Sequence, residues 1–282
     1  MRPATKTIFD AVVEFTDKNL DKTAIDYLHS RGWDDSVIAQ WHLGFFPKNK
    51  NAELFSILAK HKFRKQDLQD LYIMSEENRT LLYNRIIFPI WDTHGKLIAV
   101  TGRTLEEGVK PKYFNTAYDK GCFLYGLHLA IPYIRKLKIV YVFEGNADVV
   151  SAHKFGIKNC VGCQGTAFTK EHYALLSRYA ENIVLLFDND SGGQKALARF
   201  NQRSGDFFSR DKYIVLNSKQ KEVNVFIALL KGVKDPDAYL IKFGVDKFIE
   251  NVNIQIKDKI LQASYRKILP KAVTKNVKKL TI

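Results

Sequence analysis

KIVYVFEGNADVV, residues 138–150, and NIVLLFDND, residues 182–190, predict an α/β architecture for this chain. Each segment begins with a short, continuous apolar run rich in β-branched residues, which is typical of a strand buried in a parallel sheet. A carboxylate follows each run directly, Glu144 in the first segment and Asp188 in the second. Because ligands of open α/β sheets bind outside the carboxyl ends of the strands, we expect both acids to face one groove.

Strand-like and helix-like segments alternate from about Lys138 onward. The segments are, in order, strand KIVYVF, helix ADVVSAHKF, strand IKNCVG, helix KEHYALLSRY, strand NIVLLF and helix GQKALARF. This alternation predicts a right-handed, largely parallel sheet. The later run VNVFIALL is interpreted as a further strand by analogy with the first two, whereas the strand-like run KYIVL before it has no assigned place.

The upstream half has a different pattern. Residues 20–44 have helical spacing of apolar residues, and the pattern of residues 51–75 predicts a helix pair. Residues 83–105 are predicted to form two strands about a turn at Asp92 to Gly95. The chain beyond Gly244 is helical in character. We therefore expect an N-terminal α+β subdomain (1–136), a Rossmann-like α/β domain (137–245) and a helical C-terminal segment with a basic tail (246–282). The tail, from Arg266 to Lys279, is either a phosphate-contacting segment or a solvated end.

Carboxylates form three clusters along the α/β part. Asp148 accompanies Glu144, Asp190 accompanies Asp188, and the pair Asp235 and Asp237 lies in KDPDAYL. Converging carboxylates repel each other, and hard oxygen ligands at this density suit Mg²⁺ or Mn²⁺, which in turn bind phosphates. The alternative for Asp237 is the N-cap of a helix that begins at AYLIKF.

Composition indicates a polyanionic partner. The chain has 282 residues, with 44 Lys and Arg against 30 Asp and Glu, which gives a net charge of +14. A protein that combines an acidic metal site with such a basic balance is expected to bind nucleic acid, although a charge that serves only solubility is the alternative. No apolar stretch approaches membrane-spanning length and no secretory signal opens the chain, so we expect a cytoplasmic protein without a membrane contact.

Cysteine usage indicates no zinc in this chain. Cys160 and Cys163 form a CxxC, but no second pair or suitably spaced histidine completes a zinc site. The pair lies in a glycine-bearing loop, so we interpret both as reduced, structural thiols.

The acidic clusters also resemble a known domain. The order EGNADVV, FDNDSGGQKA and KDPDAYL resembles the Toprim domain of DnaG-type primases, topoisomerases and some nucleases. Upstream, NRIIFPIWDTHGKLIAVTGR, PKYFNT, KGCFLYGLHLA and YLHSRGWDDSVIAQWHLGFFP resemble the catalytic core of DnaG-type primases, in order and at similar spacing. The resemblance covers about residues 20–250, and the motifs are specific in combination.

The resemblance implies a nucleotidyltransferase that uses Mg²⁺ or Mn²⁺. Glu144 takes the role of the Toprim glutamate, either linked to the metal or acting as general base. Asp188 and Asp190 are expected to be catalytic metal ligands, Asp235 and Asp237 further ligands, and Asp148 a supporting one. The expected reaction is DNA-dependent synthesis of short RNA primers from NTPs on single-stranded DNA by two-metal phosphoryl transfer.

The same resemblance assigns the nucleotide and DNA contacts. The four cations in matching motifs are Arg85, Arg103, Lys112 and Lys120, and Tyr113 and Asn115 are expected to add base or sugar contacts. In DnaG-type cores these positions line a groove beside the acidic edge, where they contact NTP phosphates, the template or the RNA–DNA hybrid. Arginine offers a planar fork for phosphate and lysine a point charge, so both types fit.

The chain also departs from the family pattern. DnaG-type primases begin with a zinc-binding domain and continue into a helicase-interacting region, and neither is found in this sequence. We therefore expect a bare polymerase core, either a compact phage-type protein or an excised core, whose further partners are a replicative helicase and a separate zinc-binding domain. The alternatives are a Toprim nuclease and a non-catalytic module that binds single-stranded nucleic acid.

Overall fold

The computed structural model describes residues 7–187, 214–216 and 222–266, with backbone only at 214–216, 222 and 258–266. Asp188, Asp190, the expected helix GQKALARF and the basic tail beyond Arg266 lie outside the described residues.

The N-terminal half is an antiparallel sheet with short helices around it. The sheet has strand order β1-β2-β3-β4. Its strands are β1 (Gly44–Phe46), β2 (Arg85–Trp91), β3 (Leu97–Thr104) and β4 (Tyr113–Asn115). The helices of this half are α1 (Ile8–Asp17), α2 (Lys22–Ser30), α3 (Asp35–Trp41), α4 (Asn51–Lys60) and α5 (Lys65–Asp70). The predicted helical segments and the predicted strand pair of this half are confirmed.

Local polar contacts set the boundaries of these elements. Asp34 caps α3 by accepting a hydrogen bond from Val37 N at 3.0 Å. The hairpin between β2 and β3 turns where the sequence predicted. There the Asp92 carboxylate accepts hydrogen bonds from His94 N and Lys96 N at 2.8 and 2.9 Å, and Gly95 takes a positive φ of 78°.

The second half is a five-stranded sheet with order β6-β5-β7-β9-β8. Its strands are β5 (Ile139–Phe143), β6 (Cys160–Gly162), β7 (Asn182–Leu186), β8 (Ile214–Leu216) and β9 (Glu222–Ile227). The helices α6 (Leu127–Leu137), α7 (Asn146–Lys154) and α8 (Lys170–Leu176) precede or connect the first strands. All pairs are parallel except β8 with β9. The predicted strands at both acidic segments and at VNVFIALL are confirmed, and KYIVL contains the antiparallel edge strand β8.

The last described helix is α9 (Pro236–Arg266), which is interrupted by a non-helical residue at Gly244. Asp235 caps it, because its Oδ1 accepts a hydrogen bond from Ala238 N at 2.8 Å and proline follows at the first helical position. Asp237 lies within the first turn, so the alternative interpretation of Asp237 as the N-cap is wrong. The domain divisions at 136/137 and 245/246 stay predictions.

Aromatic side chains join the two halves. Trp33 is fully buried between α2 and α3, and its Nε1 donates to Ser151 Oγ on α7 at 2.9 Å. Trp41 stacks on Tyr125 with ring centroids 5.2 Å apart and meets His153 edge to face at 5.0 Å. Burial of one such ring contributes about 2–3 kcal/mol, so these contacts fix the α2–α3 region of the N-terminal half against the α/β domain. Within the part of the chain that is described, no helix is long and apolar enough to cross a membrane.

Candidate active site

The first acidic cluster lies at the carboxyl end of β5. Glu144 follows the strand, Gly145 is the N-cap of α7, and Asp148 lies in the first helical turn, where a carboxylate is favoured by the helix dipole. A Cβ atom on Gly145 would lie 2.7 Å from Asp148 Oδ2. Glycine at this position therefore lets the Asp148 carboxylate fold back over the start of the helix.

The loop after β6 packs against the same edge of the sheet. Gly165 N donates to the carbonyl oxygen of Glu144 at 2.9 Å, and Cys163 N donates to that of Phe143 at 2.9 Å. Burial, with a smaller contribution from the charge of Glu144, raises the pKa of the Cys163 thiol. Cys160 and Cys163 are both free and buried, in agreement with the prediction of structural thiols.

The third acidic cluster is joined to the N-terminal half by an ion pair. Arg31 Nη2 donates to Asp237 Oδ2 at 2.7 Å, and the Asp237 side chain is only 8% exposed. Asp237 Oδ1 is also buried, and it has no hydrogen-bond donor among the residues that the structure describes. Buried carboxylate oxygens are normally satisfied, so this atom is available to a ligand.

Arg31 and the nearby Arg103 each have a buried N–H group without a hydrogen-bond acceptor among the described residues. The Nε of Arg31 and the Nη1 of Arg103 are buried and meet no hydrogen-bond acceptor in the described part of the chain. The guanidinium of Arg103 lies 4.6 Å from the ring centroid of Tyr27, and that of Arg31 lies 5.5 Å from the ring of Trp33. The aromatic rings hold both cations in place without satisfying these N–H groups.

Lys112 completes a cluster of cations. Its pKa is lowered by partial burial and by the nearby charges of Arg103, Lys234 and Arg31, while Asp235 opposes the shift. A basic cluster of Arg31, Arg103, Lys112 and Lys234 therefore faces the third acidic pair.

Tyr113 lies between this basic cluster and the first acidic cluster. Burial raises the pKa of its hydroxyl and the charge of Asp148 adds to the shift, while Arg103, to which it hydrogen bonds, opposes it. In the sheet, Tyr113 pairs directly with Arg103 across β3 and β4. The predicted residues Arg103, Lys112, Tyr113, Asp148, Asp235 and Asp237 are thus brought together.

Arg85 lies behind this surface. It is 6% exposed, and its Nη1 donates to the carbonyl oxygens of Gly102, Pro111 and Lys112 at 3.1–3.2 Å. A Cβ atom on Gly102 would lie 2.9 Å from Arg85 Cδ, so the glycine makes room for the guanidinium. Arg85 supports the backbone that carries Lys112, and a direct contact with phosphate stays a prediction.

The remaining predicted contacts lie further along the chain. Asn115 Oδ1 accepts a hydrogen bond from Thr101 Oγ1 at 2.8 Å. Lys120 lies in a 3₁₀ turn, and the backbone carbonyl oxygen of Lys120 is 2.9 Å from His172 Nε2. Burial lowers the pKa of Lys120. A contact between Lys120 and phosphate stays a prediction.

The donor set suits a hard divalent cation. Carboxylate oxygens at one sheet edge are the ligands that Mg²⁺ prefers, and Asp237 Oδ1 is an available acceptor. Among the described residues, no three side chains of the metal-binding types are close enough together to hold an ion. Asp188, which follows the central strand β7 and the residue Phe187, lies outside that part, as does Asp190.

Sequence reasoning missed Arg31 and Lys234. Arg31 follows α2 in the segment HSRGWDD and reaches the acidic edge only through tertiary folding. Lys234 precedes Asp235 directly, and that adjacency in KDPD was the one signal that could have identified it.

The two halves of the chain match two families of known proteins. Residues 12–131 match the family described as the DNA primase catalytic core, N-terminal domain, and residues 141–240 match the family described as Toprim-like. A DNA primase from Halalkalibacterium halodurans is 33% identical over 240 residues, which cover 82% of this chain and 37% of that protein.

Solved structures have the same fold. A DNA primase domain from Pseudomonas aeruginosa aligns with a TM-score of 0.72 and 29% identity, covering 88% of this chain and 78% of that chain. A DnaG primase catalytic domain bound to single-stranded DNA aligns with a TM-score of 0.71 and 26% identity, covering 87% and 79%. The predicted Toprim-containing α/β fold is thereby confirmed.

The chain spans little more than a third of the length of the curated relatives it matches. Within that span, both matched domains occur in the expected order, and Arg103 and Lys112 of the first domain lie near carboxylates of the second. The chain belongs to the family of DnaG-type primase catalytic cores, with the N-terminal core domain followed by a Toprim domain.

Proposed function

We propose that this chain synthesises short RNA primers from NTPs on single-stranded DNA by nucleotidyl transfer. The observation that carries the proposal is the apposition of the basic cluster (Arg31, Arg103, Lys112 and Lys234) to the carboxylates at the Toprim sheet edge. A nucleoside triphosphate needs both features, because its phosphates are anionic and its reacting centre requires metal-binding carboxylates.

The basic cluster would bind the phosphates of the nucleotide. Buried N–H groups of Arg31 and Arg103 lack acceptors among the described residues, and phosphate oxygens would supply them. Partial burial and repulsion by the neighbouring cations lower the pKa of Lys112, so a bound anion would stabilise the charged form of this side chain. Arginine forks would orient the phosphates, while Lys112 would add a point charge.

The carboxylates prepare the reaction. Glu144 would be linked to the metal or would act as general base on the attacking ribose hydroxyl, and Asp188 and Asp190 would serve as ligands. Asp148, Asp235 and Asp237 complete or support the set. When bound, Mg²⁺ or Mn²⁺ supplies charge screening and activation of the attacking oxygen. Arg31 holds the Asp237 carboxylate in one orientation, and Arg85 holds the backbone of Lys112.

The template and the growing hybrid are assigned to the same groove. Tyr113 and Asn115 would contact sugar or base, and Lys120 would contact backbone phosphate at a second point. The structure of a related DnaG catalytic domain is described as bound to single-stranded DNA, which supports such a template. A replicative helicase, a separate zinc-binding domain and a cytoplasmic site of action are further parts of this proposal.

The test is de novo synthesis by the purified chain on unprimed single-stranded DNA, with labelled NTPs and Mg²⁺ or Mn²⁺, beside Asp188→Asn. Short RNA products that disappear in the variant are expected. Metal-dependent DNA cleavage in place of synthesis would favour the Toprim nuclease. DNA binding without any synthesis, even with a zinc-binding domain supplied in trans, would favour a non-catalytic binding module.

A further inference from the structure

A second set of cations lies at the opposite edge of the parallel sheet. The segments that lead into β5, β6 and β7 carry Lys138, Lys158 and Arg178, respectively. These are the amino ends of the strands, whereas Glu144 follows the carboxyl end of β5. A strand of five residues is about 16 Å long, so the two edges are separate surfaces.

Hydrogen bonds between the segments fix this edge. The carbonyl oxygen of Lys138 accepts from Glu181 N at 2.9 Å and from Asn182 N at 3.0 Å, which joins the starts of β5 and β7. The side-chain amide of Asn159 donates to the carbonyl oxygen of Ile139 at 3.0 Å, which joins the starts of β5 and β6. The cations on these segments are therefore displayed from a rigid frame.

Two aromatic rings lie among the cations. The guanidinium of Arg135, in the last turn of α6, is 5.2 Å from the ring centroid of Tyr179. The ammonium of Lys158 is 5.5 Å from the ring centroid of Tyr133, and Tyr133 remains 40% exposed. Cations held over aromatic rings keep their charge in solvent while the rings fix their position.

Helix α9 brings a further cation to this edge. Asn253, Ile256 and Lys257 line a small depression together with Ile139 and Asn182. Lys257 is exposed there. The amino-edge basic surface is therefore formed by Arg135, Lys136, Lys138, Lys158, Arg178 and Lys257.

These charges are not neutralised within the described part of the chain. None of the six cations has a carboxylate within 4.0 Å there, and Glu181 is the acid on the connecting segments. Helix dipoles favour Arg135 and Lys136 at the end of α6, but this effect fades within the last turn. Lys158 lies beyond the end of α7 and Lys257 lies within α9, so the dipoles do not account for the whole set.

We propose that the amino-edge basic surface binds single-stranded nucleic acid outside the catalytic groove. Unneutralised cations on a rigid frame attract a phosphate backbone, and the exposed ring of Tyr133 and the exposed aliphatic side chain of Leu137 offer apolar area to unpaired bases. A duplex would present no free base faces, and a surface that carries six cations differs from the charge-depleted core of a stable protein interface. The surface would hold template that extends beyond the active site.

The test compares a short oligothymidylate, sized for the catalytic groove, with a long one by fluorescence anisotropy at several salt concentrations. The variant is the triple replacement Lys136→Ala, Lys158→Ala and Arg178→Ala. Its matched control removes the same charge from exposed N-terminal helices by Lys22→Ala, Lys60→Ala and Lys65→Ala. Loss of three single-strand phosphate contacts reduces the steepness of the plot of log association constant against log salt concentration by about 2. We expect this reduction only for the long oligonucleotide.

Three results would overturn the proposal. An unchanged slope for the long oligonucleotide would show that the surface does not bind the strand. Equal losses in the control triple would show a general effect of net charge. Binding of poly-glutamate that is lost in the triple variant while both oligonucleotides bind normally would show a protein-docking surface. Because the readout is binding, it remains informative even if the chain fails to synthesise RNA.

Discussion

Arg31 Nη2 lies 2.7 Å from Asp237 Oδ2 and joins the turn after α2 to the first turn of α9 across 206 residues of sequence. The contact ties the N-terminal subdomain to the acidic edge of the Toprim domain. Because the Asp237 side chain is 8% exposed and that of Arg31 is 31% exposed, the pair is only partly screened by solvent. It therefore contributes both to stability and to the orientation of a predicted metal ligand.

A double-mutant cycle tests the stability of this pair. Arg31→Met leaves the Asp237 carboxylate buried without its partner, and we expect a loss of about 1–3 kcal/mol, below the value for fully buried pairs because Arg31 is partly exposed. Asp237→Asn in the same background should cost less than it does alone, with a coupling energy of about 1 kcal/mol. Urea unfolding of the four proteins measures the coupling. Additive losses would refute it.

Gly145 is predicted to be required for activity rather than for folding. Its backbone conformation is open to alanine, but the new Cβ atom would lie 2.7 Å from Asp148 Oδ2 and displace that carboxylate. Gly145→Ala should therefore impair primer synthesis with a small effect on the melting temperature. Gly95→Ala is the contrasting variant, because its φ of 78° disfavours alanine while no atom lies within 4 Å of the new Cβ. It should lower stability by about 1 kcal/mol and leave synthesis intact.

Lys112 is predicted to contact phosphate in the groove. Lys112→Ala should weaken single-stranded DNA binding. It should also reduce the steepness with which the log of the association constant falls with log salt concentration by about 1, because one phosphate contact is lost. Lys65→Ala removes the same charge from the exposed helix α5 and serves as the control. Titrations at several salt concentrations give both slopes. If the two variants have the same slope, Lys112 makes no specific contact.

His153 is predicted to make stability depend on pH. Burial lowers its pKa from 6.5 to about 4. Between these values the unfolded chain binds more protons than the folded one, so the free energy of unfolding decreases as the pH falls from about 6.5 toward about 4. His153→Gln keeps a donor for the Cys160 carbonyl oxygen but cannot titrate.

Wild type should therefore lose about 2 kcal/mol more than His153→Gln between pH 7.5 and about pH 5. Urea midpoints at both pH values test this difference. Other histidines, including His128, are unchanged in the variant and cancel in the comparison. Parallel losses in the two proteins would mean that His153 does not carry the effect.

The sheet elements could be predicted where local pattern and burial agree. β5 and β7 are continuous apolar runs, and their buried faces in the structure explain why length and β-branched content were sufficient signals. The direction of β8 could not be predicted, because a three-residue strand has too few positions to reveal its pairing.

Site residues could be predicted where they lie together in a short sequence motif. Asp235 and Asp237 were recognised from their motif, although the ion pair with Arg31 depends on tertiary folding alone. The position of the Arg85 side chain, by contrast, could not be predicted from the sequence. All positions of β2 before Trp91 are buried, so the alternation that normally separates the two faces of a strand gave no sign of where its side chain lies.

The role of Glu144 is tested by measuring primer synthesis and DNA binding by Glu144→Gln together, on one unprimed single-stranded template with Mg²⁺. Glutamine preserves the shape of the side chain but removes its charge and its ability to accept a proton. We expect synthesis to fall by at least about a hundredfold, while the affinity for single-stranded DNA stays nearly unchanged because the basic cluster is intact. Synthesis at the wild-type rate by Glu144→Gln would contradict the assignment of the active site to the carboxyl edge of the Toprim sheet.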